Sequence, residues 1–494
     1  MNAVRYLLGN KTNLDASLVL SRTGNTSYKE TYLESMRISK ILENFSQKRV
    51  FLFAEKSPFW IFSYFGVIAS GNVCVPIDTR LTNEEISELV MLVKPVMIIT
   101  EAKNTAKFEK CKIPIVDEIT AKNYEVGNIK EVNEDDLASI MFTSGSSGKP
   151  KGVMITHKNI IANTNSIIEY LGLSDKDIME VVLPFYYCYG LSLLHTHARV
   201  GGKIVLNNKF LFPETVSRDI EDFKCTGFAG VPSHFEILVH KTRFLERKFA
   251  SLRYLTQAGG KMSDETILKI HEKMKPTKLF VMYGQTEATA RLSYLPPEKL
   301  PEKVGSIGKG IPGVELIVRD TCGNPVKTGE LGELTAKGDN IMKGYFEDKK
   351  STDEKIVDGW LKTGDMGIID KHGYIYIKCR VDNLVKVGGF RVSLDEISHA
   401  IKKIPGIKEC ITVKADDELF GASIIAAVTL NKKMTPEELH AEARKILASY
   451  KVPKKFIILK KMPLTDSGKI AKKEIEEKIK NAERHKQSTK GHTL

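Results

Sequence analysis

Short apolar segments alternate with longer amphipathic segments from the N-terminus to about residue 310. The apolar segments have the length of buried strands and read RVFLFA, NVCVPI, PVMIIT, KIVLNN, CTGFAGV and KLFVMYG. The segments between them have the length of helices and include SPFWIFSYFGVIAS, NEEISELVMLV and DETILKIHEKM. This alternation predicts an α/β fold whose mostly parallel sheets are covered by helices, with ligands at the carboxyl ends of the strands.

The pattern changes at about residue 312, where paired β-type segments replace the alternation. VELIVRD, GELTAKG and MGIIDKHGYIYIKC follow one another, and a hairpin turn is predicted at Asp370 to Gly373. From Asp382 onwards, about 110 residues have strands and helices of their own. We therefore predict an N-terminal domain of residues 1–381, with a small β-rich subdomain at about 312–381, and an α+β C-terminal domain of residues 382–494.

The composition is that of an ordinary globular protein with more than one domain. The chain has 494 residues, of which 42% are hydrophobic and 27% are charged. No apolar run reaches about 18 residues and the N-terminus has no apolar signal segment, so we expect neither a membrane span nor secretion. The seven cysteines show no CxxC pair, which is typical of reduced thiols in a cytoplasmic protein.

The net charge of +13 is concentrated near the C-terminus, where residues 451–494 carry a balance of +8. No aromatic residue lies among the lysines of the tail AKKEIEEKIKNAERHKQSTKGHTL, so we do not expect nucleic-acid binding by base stacking. The pattern favours a solvated basic helix and tail. A landing surface for an acidic partner or a polyphosphate group is the alternative.

The segment TSGSSGKPKG, residues 143–152, lies between the predicted buried strand LASIMF and a predicted helix. Its glycines allow positive φ values, so that main-chain N–H groups can converge on an anion: Gly145, Gly148 and Gly152. Its hydroxyl and ammonium groups add donors and positive charge: Thr143, Ser144, Ser146, Ser147, Lys149 and Lys151. The spacing departs from G-x-x-x-x-G-K-[ST], which indicates a phosphate loop of another type. A flexible solvated loop is the alternative.

Five polar motifs occur in one order along almost the whole chain. They read FTSGSSGKPKGVMITHKN, MYGQTEA, GELTAKGDNIMKGYF, GWLKTGDMGIIDKHGYIYIKCRVDNLVKVGGFRV and PLTDSGKI. Together they resemble the motifs of the adenylate-forming (AMP-forming) ligase superfamily of acyl-CoA synthetases, adenylation domains and luciferases. The resemblance implies a reaction in which a carboxylate and ATP give an acyl-adenylate and pyrophosphate, after which the acyl group passes to a thiol.

The resemblance also implies roles for individual residues. Lys151, Thr286, Glu287 and Lys469 would be catalytic, and Glu287 would be the Mg²⁺ ligand. Residues that match the ATP site are Thr143, Ser144, Gly145, Ser146, Ser147, Gly148, Lys151, Gly259, Tyr283, Gly284, Thr286, Asp365 and Arg380. Several of these residues have a plainer alternative: a lysine can be a solvated side chain, a tyrosine after an apolar strand can be core, and Asp365 and Arg380 can be a surface ion pair.

A mobile C-terminal domain is implied by the same resemblance. Lys469 lies on a Ser-Gly turn that would reach the carboxylate and the α-phosphate, and Asp382 matches the hinge of the family. After rotation, Gly389 and Arg391 would line the channel of the thiol. A simple glycine pair in a β-turn is the alternative for the VGGF segment.

The acyl pocket is expected near Tyr187, Tyr189, Ala258, Gly259 and Gly260. No carboxylate occurs from residue 181 to 200, so the ammonium of an α-amino acid would be buried without a partner. We therefore expect a carboxylic acid without an α-amino group. Tyr186, Tyr187 and Tyr189 suggest an aromatic or a short to medium acyl group, although these tyrosines can equally be core.

The expected cofactors and partners follow from this reaction. They are ATP, Mg²⁺ and coenzyme A. A stand-alone enzyme that loads the phosphopantetheine of an acidic acyl carrier protein is the alternative, and a non-catalytic nucleotide-binding scaffold is an alternative of another class.

Overall fold

The computed structural model describes residues 1–9, 13–144, 150–387, 390–417, 421–463, 471–472 and 474–479. The chain divides into two compact units. The first unit contains Met1–Ile317 and Thr335–Lys362, and the second contains Val318–Leu334 and the described residues from Thr363 onwards. Both units mix helices and strands, so the predicted α/β class is confirmed. Asp382, the predicted hinge, falls inside the second unit, and its role stays a prediction.

One large sheet of the first unit has nine strands among the described residues. Six neighbouring strands are parallel. Thr26–Ser27 pairs antiparallel at one end, and at the other end Ser293–Leu295 pairs antiparallel with both of its neighbours. The spatial order is Lys309–Gly310, Ser293–Leu295, Lys278–Tyr283, Tyr254–Gln257, Gly227–Gly230, Ile178–Val181, Lys203–Leu206, Ser17–Leu20 and Thr26–Ser27. The short central strands are buried along most of their length, which explains their continuous apolar sequences.

The other large sheet of the first unit has seven strands in the described part of the chain. Its order is Gly344–Tyr345, Pro150–Thr156, Leu137–Ser144, Val73–Pro76, Arg49–Phe53, Met97–Thr100 and Ile115–Val116. Phe51, Phe53, Val75 and Ile98 lie in one buried cluster of this sheet and its helices.

Helices cover both sheets, as the alternation predicts. The α-helices of the first unit within the described residues are Ala3–Leu8, Tyr28–Ile41, Pro58–Ala69, Asn83–Val93, His157–Leu171, Cys188–Val200, Glu214–Phe223, Pro232–Lys241, Asp264–Lys273 and Lys349–Lys355. Pro58–Ala69 illustrates the local cause: Ser57 Oγ accepts a hydrogen bond from the Trp60 N–H, and Pro58 occupies the first turn. No helix among the described residues is both long enough and apolar enough to cross a membrane.

The surroundings of residues 143–152 differ from the prediction. The last three residues of this segment begin a strand, Pro150–Thr156, which precedes the helix His157–Leu171 and pairs antiparallel with Leu137–Ser144. The expected strand-loop-helix arrangement is therefore wrong. Val153 and Ile155 are buried in the sheet, and the β-branched side chains of GVMIT favour a strand there. The helix begins only at the capping box of Thr156 and Asn159.

Three strands contain residues of both units: Val314–Arg319, Gly332–Gly338 and Trp360–Ile369. The expected hairpin is present, since Trp360–Ile369 pairs with Ile375–Arg380 and the Gly373 N–H donates to Asp370 O. The remaining strands of the second unit are Leu384–Val387, Phe390–Ser393, Ile407–Asp417, Gly421–Leu430 and Lys455–Ile458, and its α-helices among the described residues are Leu394–Lys402 and Pro436–Ile446. Ile397, Ile424 and Leu439 belong to its buried core.

Candidate active site

Lys151 lies next to the edge strand Gly344–Tyr345 of the seven-stranded sheet. Its Nζ donates a hydrogen bond of 2.7 Å to Ser351 Oγ and lies 4.8 Å from the centroid of the Tyr345 ring. Backbone pairing brings these groups together, because Tyr345 is opposite Val153 in the strand that carries Lys151. The lysine is thereby held by two side chains that lie about two hundred residues further along the chain.

Glu287 is joined to this group through Tyr345. The Tyr345 hydroxyl donates a hydrogen bond of 2.7 Å to Glu287 Oε1, and the Met342 N–H donates one of 2.9 Å to the main-chain oxygen of Glu287. Tyr345 is buried, with 6% of its surface exposed. Two of the predicted catalytic residues therefore contact the same tyrosine, Lys151 at its ring and Glu287 at its hydroxyl.

The segment before Glu287 begins where the strand Lys278–Tyr283 ends. Gly284 is required there, since a Cβ at this position would lie 1.9 Å from Ala290 O. A 3₁₀ turn, Thr286–Ala288, follows and presents Thr286, whose Oγ1 lies 3.5 Å from Cys188 Sγ. Two motifs that are far apart in sequence, FYYC and YGQTEA, thus meet at this contact.

The predicted acyl-pocket residues lie around the ends of two elements. Tyr189, on the helix Cys188–Val200, donates a hydrogen bond of 2.9 Å to Thr256 O in the strand that leads to Ala258. Tyr189 is 8% exposed, and burial raises the pKa of its hydroxyl well above the usual range. Gly259 has a φ of +86°, and a Cβ there would approach Val231 Cγ1 to 3.1 Å. Tyr187 packs against Tyr186 with ring centroids 4.7 Å apart.

The histidines of the helix Cys188–Val200 have partners of their own. His195 Nε2 and the Tyr64 hydroxyl are 2.9 Å apart, and His197 Nδ1 is 2.9 Å from Leu193 O. Burial lowers the pKa of His195 to about 3 and that of His197 to about 4, so both rings are neutral near pH 7.

Asp365 and Arg380 form a pair within the second unit. They are opposite each other in neighbouring strands, and Arg380 Nη1 donates a hydrogen bond of 3.1 Å to Asp365 Oδ1. The Arg380 N–H donates to Asp395 Oδ2 at 3.1 Å. Asp365 is largely buried, with 8% of its surface exposed, whereas the Arg380 side chain is 45% exposed. The assignment of Asp365 to the ribose stays a prediction.

Several predicted site residues lie outside the described residues: Gly145, Ser146, Ser147, Gly148, Gly389 and Lys469. The side chains of Ser144, Asp382 and Arg391 are likewise not described.

Sequence reasoning did not single out Tyr345, Ser351 or Arg291. Tyr345 is part of the motif GELTAKGDNIMKGYF, but its role depends on a contact with Glu287 that no local pattern reveals. Arg291 precedes the strand Ser293–Leu295 as a lone charged residue, and its burial, with 2% of its surface exposed, is visible only in the structure.

Comparisons with known proteins identify the family. Residues 9–346 match the model of AMP-binding enzymes, and residues 396–469 match the model of the AMP-binding enzyme C-terminal domain. The chain belongs to the AMP-binding enzyme family. A 2-succinylbenzoate–CoA ligase of Listeria monocytogenes is 32% identical over 69% of this chain and 70% of that relative. A long-chain-fatty-acid–CoA ligase of Bacillus subtilis is 28% identical over 92% of this chain and 90% of that relative.

A solved structure of the family has the same fold. The o-succinylbenzoate CoA synthetase (MenE) of Bacillus subtilis, in complex with its acyl-adenylate intermediate OSB-AMP, superposes with a TM-score of 0.86 at 25% identity, over 95% of this chain and 96% of that chain. The same enzyme has also been solved with ATP and a magnesium ion, with a TM-score of 0.84. The predicted enzyme class, an AMP-forming acid–thiol ligase, is confirmed by these relatives.

Proposed function

We propose that this enzyme uses ATP to activate a carboxylic acid without an α-amino group. The products of the first step are an acyl-adenylate and pyrophosphate. In the second step the acyl group passes to the thiol of coenzyme A. The observation that carries the proposal is the connected group of Lys151, Tyr345 and Glu287 in the first unit.

This group suits the departure of pyrophosphate. Negative charge accumulates on the leaving phosphates, and a cation fixed in place stabilises that charge without reorganisation. Lys151 is such a cation, because Ser351 and the Tyr345 ring both hold its ammonium group. Thr286, one residue before Glu287, would contribute a hydroxyl to the α-phosphate.

Glu287 fits a magnesium ion bound together with nucleotide. Mg²⁺ sites of this kind use about one or two carboxylates and complete the coordination with phosphate oxygens and water. Glu287 supplies one carboxylate, and the Tyr345 hydroxyl orients it through Oε1. Mg²⁺, when bound, neutralises charge on the phosphates.

The second unit would complete the reaction in this proposal. Asp365, held by Arg380, would accept hydrogen bonds from the ribose hydroxyls. Lys469 would stabilise charge during adenylate formation, and rotation about Asp382 would then bring Gly389 and Arg391 to the thiol. This requires the C-terminal domain of residues 382–494 to move relative to residues 1–381.

The acid is expected to lack an α-amino group because the segment that flanks the expected pocket offers no carboxylate to an ammonium. Residues 181–200 contain none, and Glu180, just before them, is bonded to Asn207 Nδ2 at 2.9 Å. Burial, with a smaller contribution from Asp219, raises the pKa of Glu180 well above its usual range. Both 2-succinylbenzoate and long-chain fatty acids, the acids named in the two relatives, lack an α-amino group.

Coenzyme A is the proposed thiol because both named relatives are CoA ligases. We place the reaction in the cytoplasm, where ATP and coenzyme A are both available. An acidic acyl carrier protein is the competing acceptor, and thioester formation with each can be measured separately.

The test is pyrophosphate release with ATP, Mg²⁺ and a panel of acids. The panel contains 2-succinylbenzoate, fatty acids of several lengths, aromatic acids and, as negative controls, α-amino acids. Glu287→Gln should abolish release, whereas Glu265→Gln, at an exposed position of the helix Asp264–Lys273, should not change it. If no acid of the panel gave pyrophosphate release while ATP still bound, the result would contradict the proposal and favour a non-catalytic scaffold. Thioester formed with a carrier protein but not with coenzyme A would contradict the second step.

A further inference from the structure

Arg291 is a buried arginine that lacks a carboxylate partner in the described part of the chain. It is 2% exposed and lies four residues after Glu287. Its Nε donates a hydrogen bond of 3.3 Å to the Tyr170 hydroxyl, and its Cζ lies 4.5 Å from the centroid of the Tyr189 ring. No other side-chain hydrogen bond or ion pair of its guanidinium occurs among the described residues.

Arg253, another arginine of the first unit, differs from Arg291 in exposure and in having a carboxylate partner. Arg253 is also stacked on a tyrosine, with Cζ 4.8 Å from the centroid of the Tyr254 ring, but it forms an ion pair of 2.8 Å with Asp177. Its side chain is 42% exposed. Arg291 is therefore the more deeply buried of the two and the one without a counter-ion. An uncompensated buried charge is costly, so Arg291 fits a site in which an anion is supplied by a ligand.

The contacts of Arg291 leave most of its donors available. An arginine has about five N–H donors in one plane, and the bond to Tyr170 uses only one of them. The ring face of Tyr189 attracts the charge but offers no lone pair to an N–H group. The two Nη groups form the fork that binds a carboxylate through two parallel hydrogen bonds.

The position of Arg291 is next to the expected acyl pocket. Tyr189, whose ring it contacts, is one of the predicted pocket residues, and the Tyr189 hydroxyl is bonded to Thr256, two residues before Ala258. Cys188, the neighbour of Tyr189, contacts Thr286 of the proposed ATP site. A group at the far end of a short acyl chain could therefore reach Arg291 while the reacting carboxylate is close to Thr286.

We propose that Arg291 determines substrate specificity by binding a second carboxylate, at the far end of the acid that the enzyme activates. The inference rests on the proposed function and adds the substrate class: dicarboxylic acids of short or medium length. The second carboxylate takes no part in the chemistry, so it contributes the same binding free energy in the ground state and in the transition state. Its effect is therefore expected in KM rather than in kcat.

The test compares acids that differ only in the second carboxylate. Suitable pairs are hexanoate with adipate and 3-phenylpropanoate with 3-(2-carboxyphenyl)propanoate. In the wild-type enzyme the dicarboxylate of a pair should have a kcat/KM of pyrophosphate release about 10- to 100-fold above that of the monocarboxylate. Arg291→Met should remove this preference through KM, and Arg291→Lys should keep part of it. Binding without turnover is followed by the thermal shift that each acid produces.

The matched control is Arg253→Met, which removes another arginine stacked on a tyrosine. It should lower stability through the loss of Asp177 pairing and leave the preference unchanged. A wild-type preference for the monocarboxylate in both pairs would overturn the inference, and that measurement needs no variant to fold. Equal losses for both members of a pair in Arg291→Met would also overturn it. Absence of pyrophosphate release with every acid would instead overturn the proposed function, and the inference with it.

Discussion

The hydroxyl of Tyr345 provides a sharp test of the proposed magnesium site. Tyr345→Phe removes one oxygen atom and keeps the ring that Lys151 contacts at 4.8 Å. The lost interaction is a hydrogen bond of 2.7 Å to the carboxylate of Glu287. Hydrogen bonds to charged groups contribute about 1.5 to 3 kcal/mol. At about 1.4 kcal/mol for each factor of ten, the variant should need about 10- to 150-fold more Mg²⁺ for half-maximal activity.

The assay is pyrophosphate release as a function of Mg²⁺ concentration, at fixed ATP and with the best acid of the panel. KM for the acid should stay unchanged, because Tyr345 acts on Glu287 and not on the acyl group. Tyr28→Phe is the matched control: it removes a buried hydroxyl that donates to His197 O and Gly202 O. Tyr28→Phe should lower the free energy of unfolding and leave the Mg²⁺ dependence of the activity unchanged. An unaltered Mg²⁺ requirement in Tyr345→Phe, or an equal change in Tyr28→Phe, would refute the reasoning.

Three further predictions concern other groups. Lys151→Gln should lower the rate of pyrophosphate release about 100-fold, because it removes a fixed charge at the leaving group. Ser351→Ala should lower this rate far less, since the ammonium group remains. Equal losses in the two variants would argue against electrostatic stabilisation. Lys469→Ala should impair adenylate formation and largely spare thioester formation from supplied acyl-adenylate, and parallel losses in both half-reactions would contradict the two-position domain. The free energy of unfolding should fall as the pH drops from about 6.5 towards 3, because the unfolded chain binds a proton that buried His195, with its pKa lowered to about 3 by burial, does not. In denaturant titrations across this range, His195→Gln should reduce the acid-induced loss, and curves parallel to those of the wild type would count against the assignment.

The sequence predicted much of the fold because the signals were local. All six apolar segments form strands and the three amphipathic segments form helices, as in Arg49–Phe53 and Asn83–Val93. The error at Pro150–Thr156 also has a local cause. A short half-buried strand runs directly into a helix there, and no turn signal in the sequence separates the apolar residues of GVMIT from the helix that follows.

For the candidate site, the sequence predicts residue types but not the contacts between them. Motifs predicted Lys151 and Glu287 as candidate site residues, yet the tyrosine that contacts both of them lies 58 residues from Glu287 in sequence. Strand pairing across the sheet creates that proximity, and no periodicity in a single segment encodes it. Arg291 was missed for a related reason, since a lone charge acquires meaning only when its burial and its neighbours are known.

The two-residue strand Gly344–Tyr345 limits which segments can be exchanged between this enzyme and its relatives in a chimera. Phe346 N–H donates to Gly152 O and Lys343 N–H to Met154 O, so this edge is aligned residue by residue with the strand that carries Lys151. Successive side chains of a strand face opposite sides, and a one-residue insertion before Gly344 would turn the tyrosine hydroxyl away from Glu287. Chimeric enzymes should therefore inherit residues 150–156 and 343–346 from the same parent.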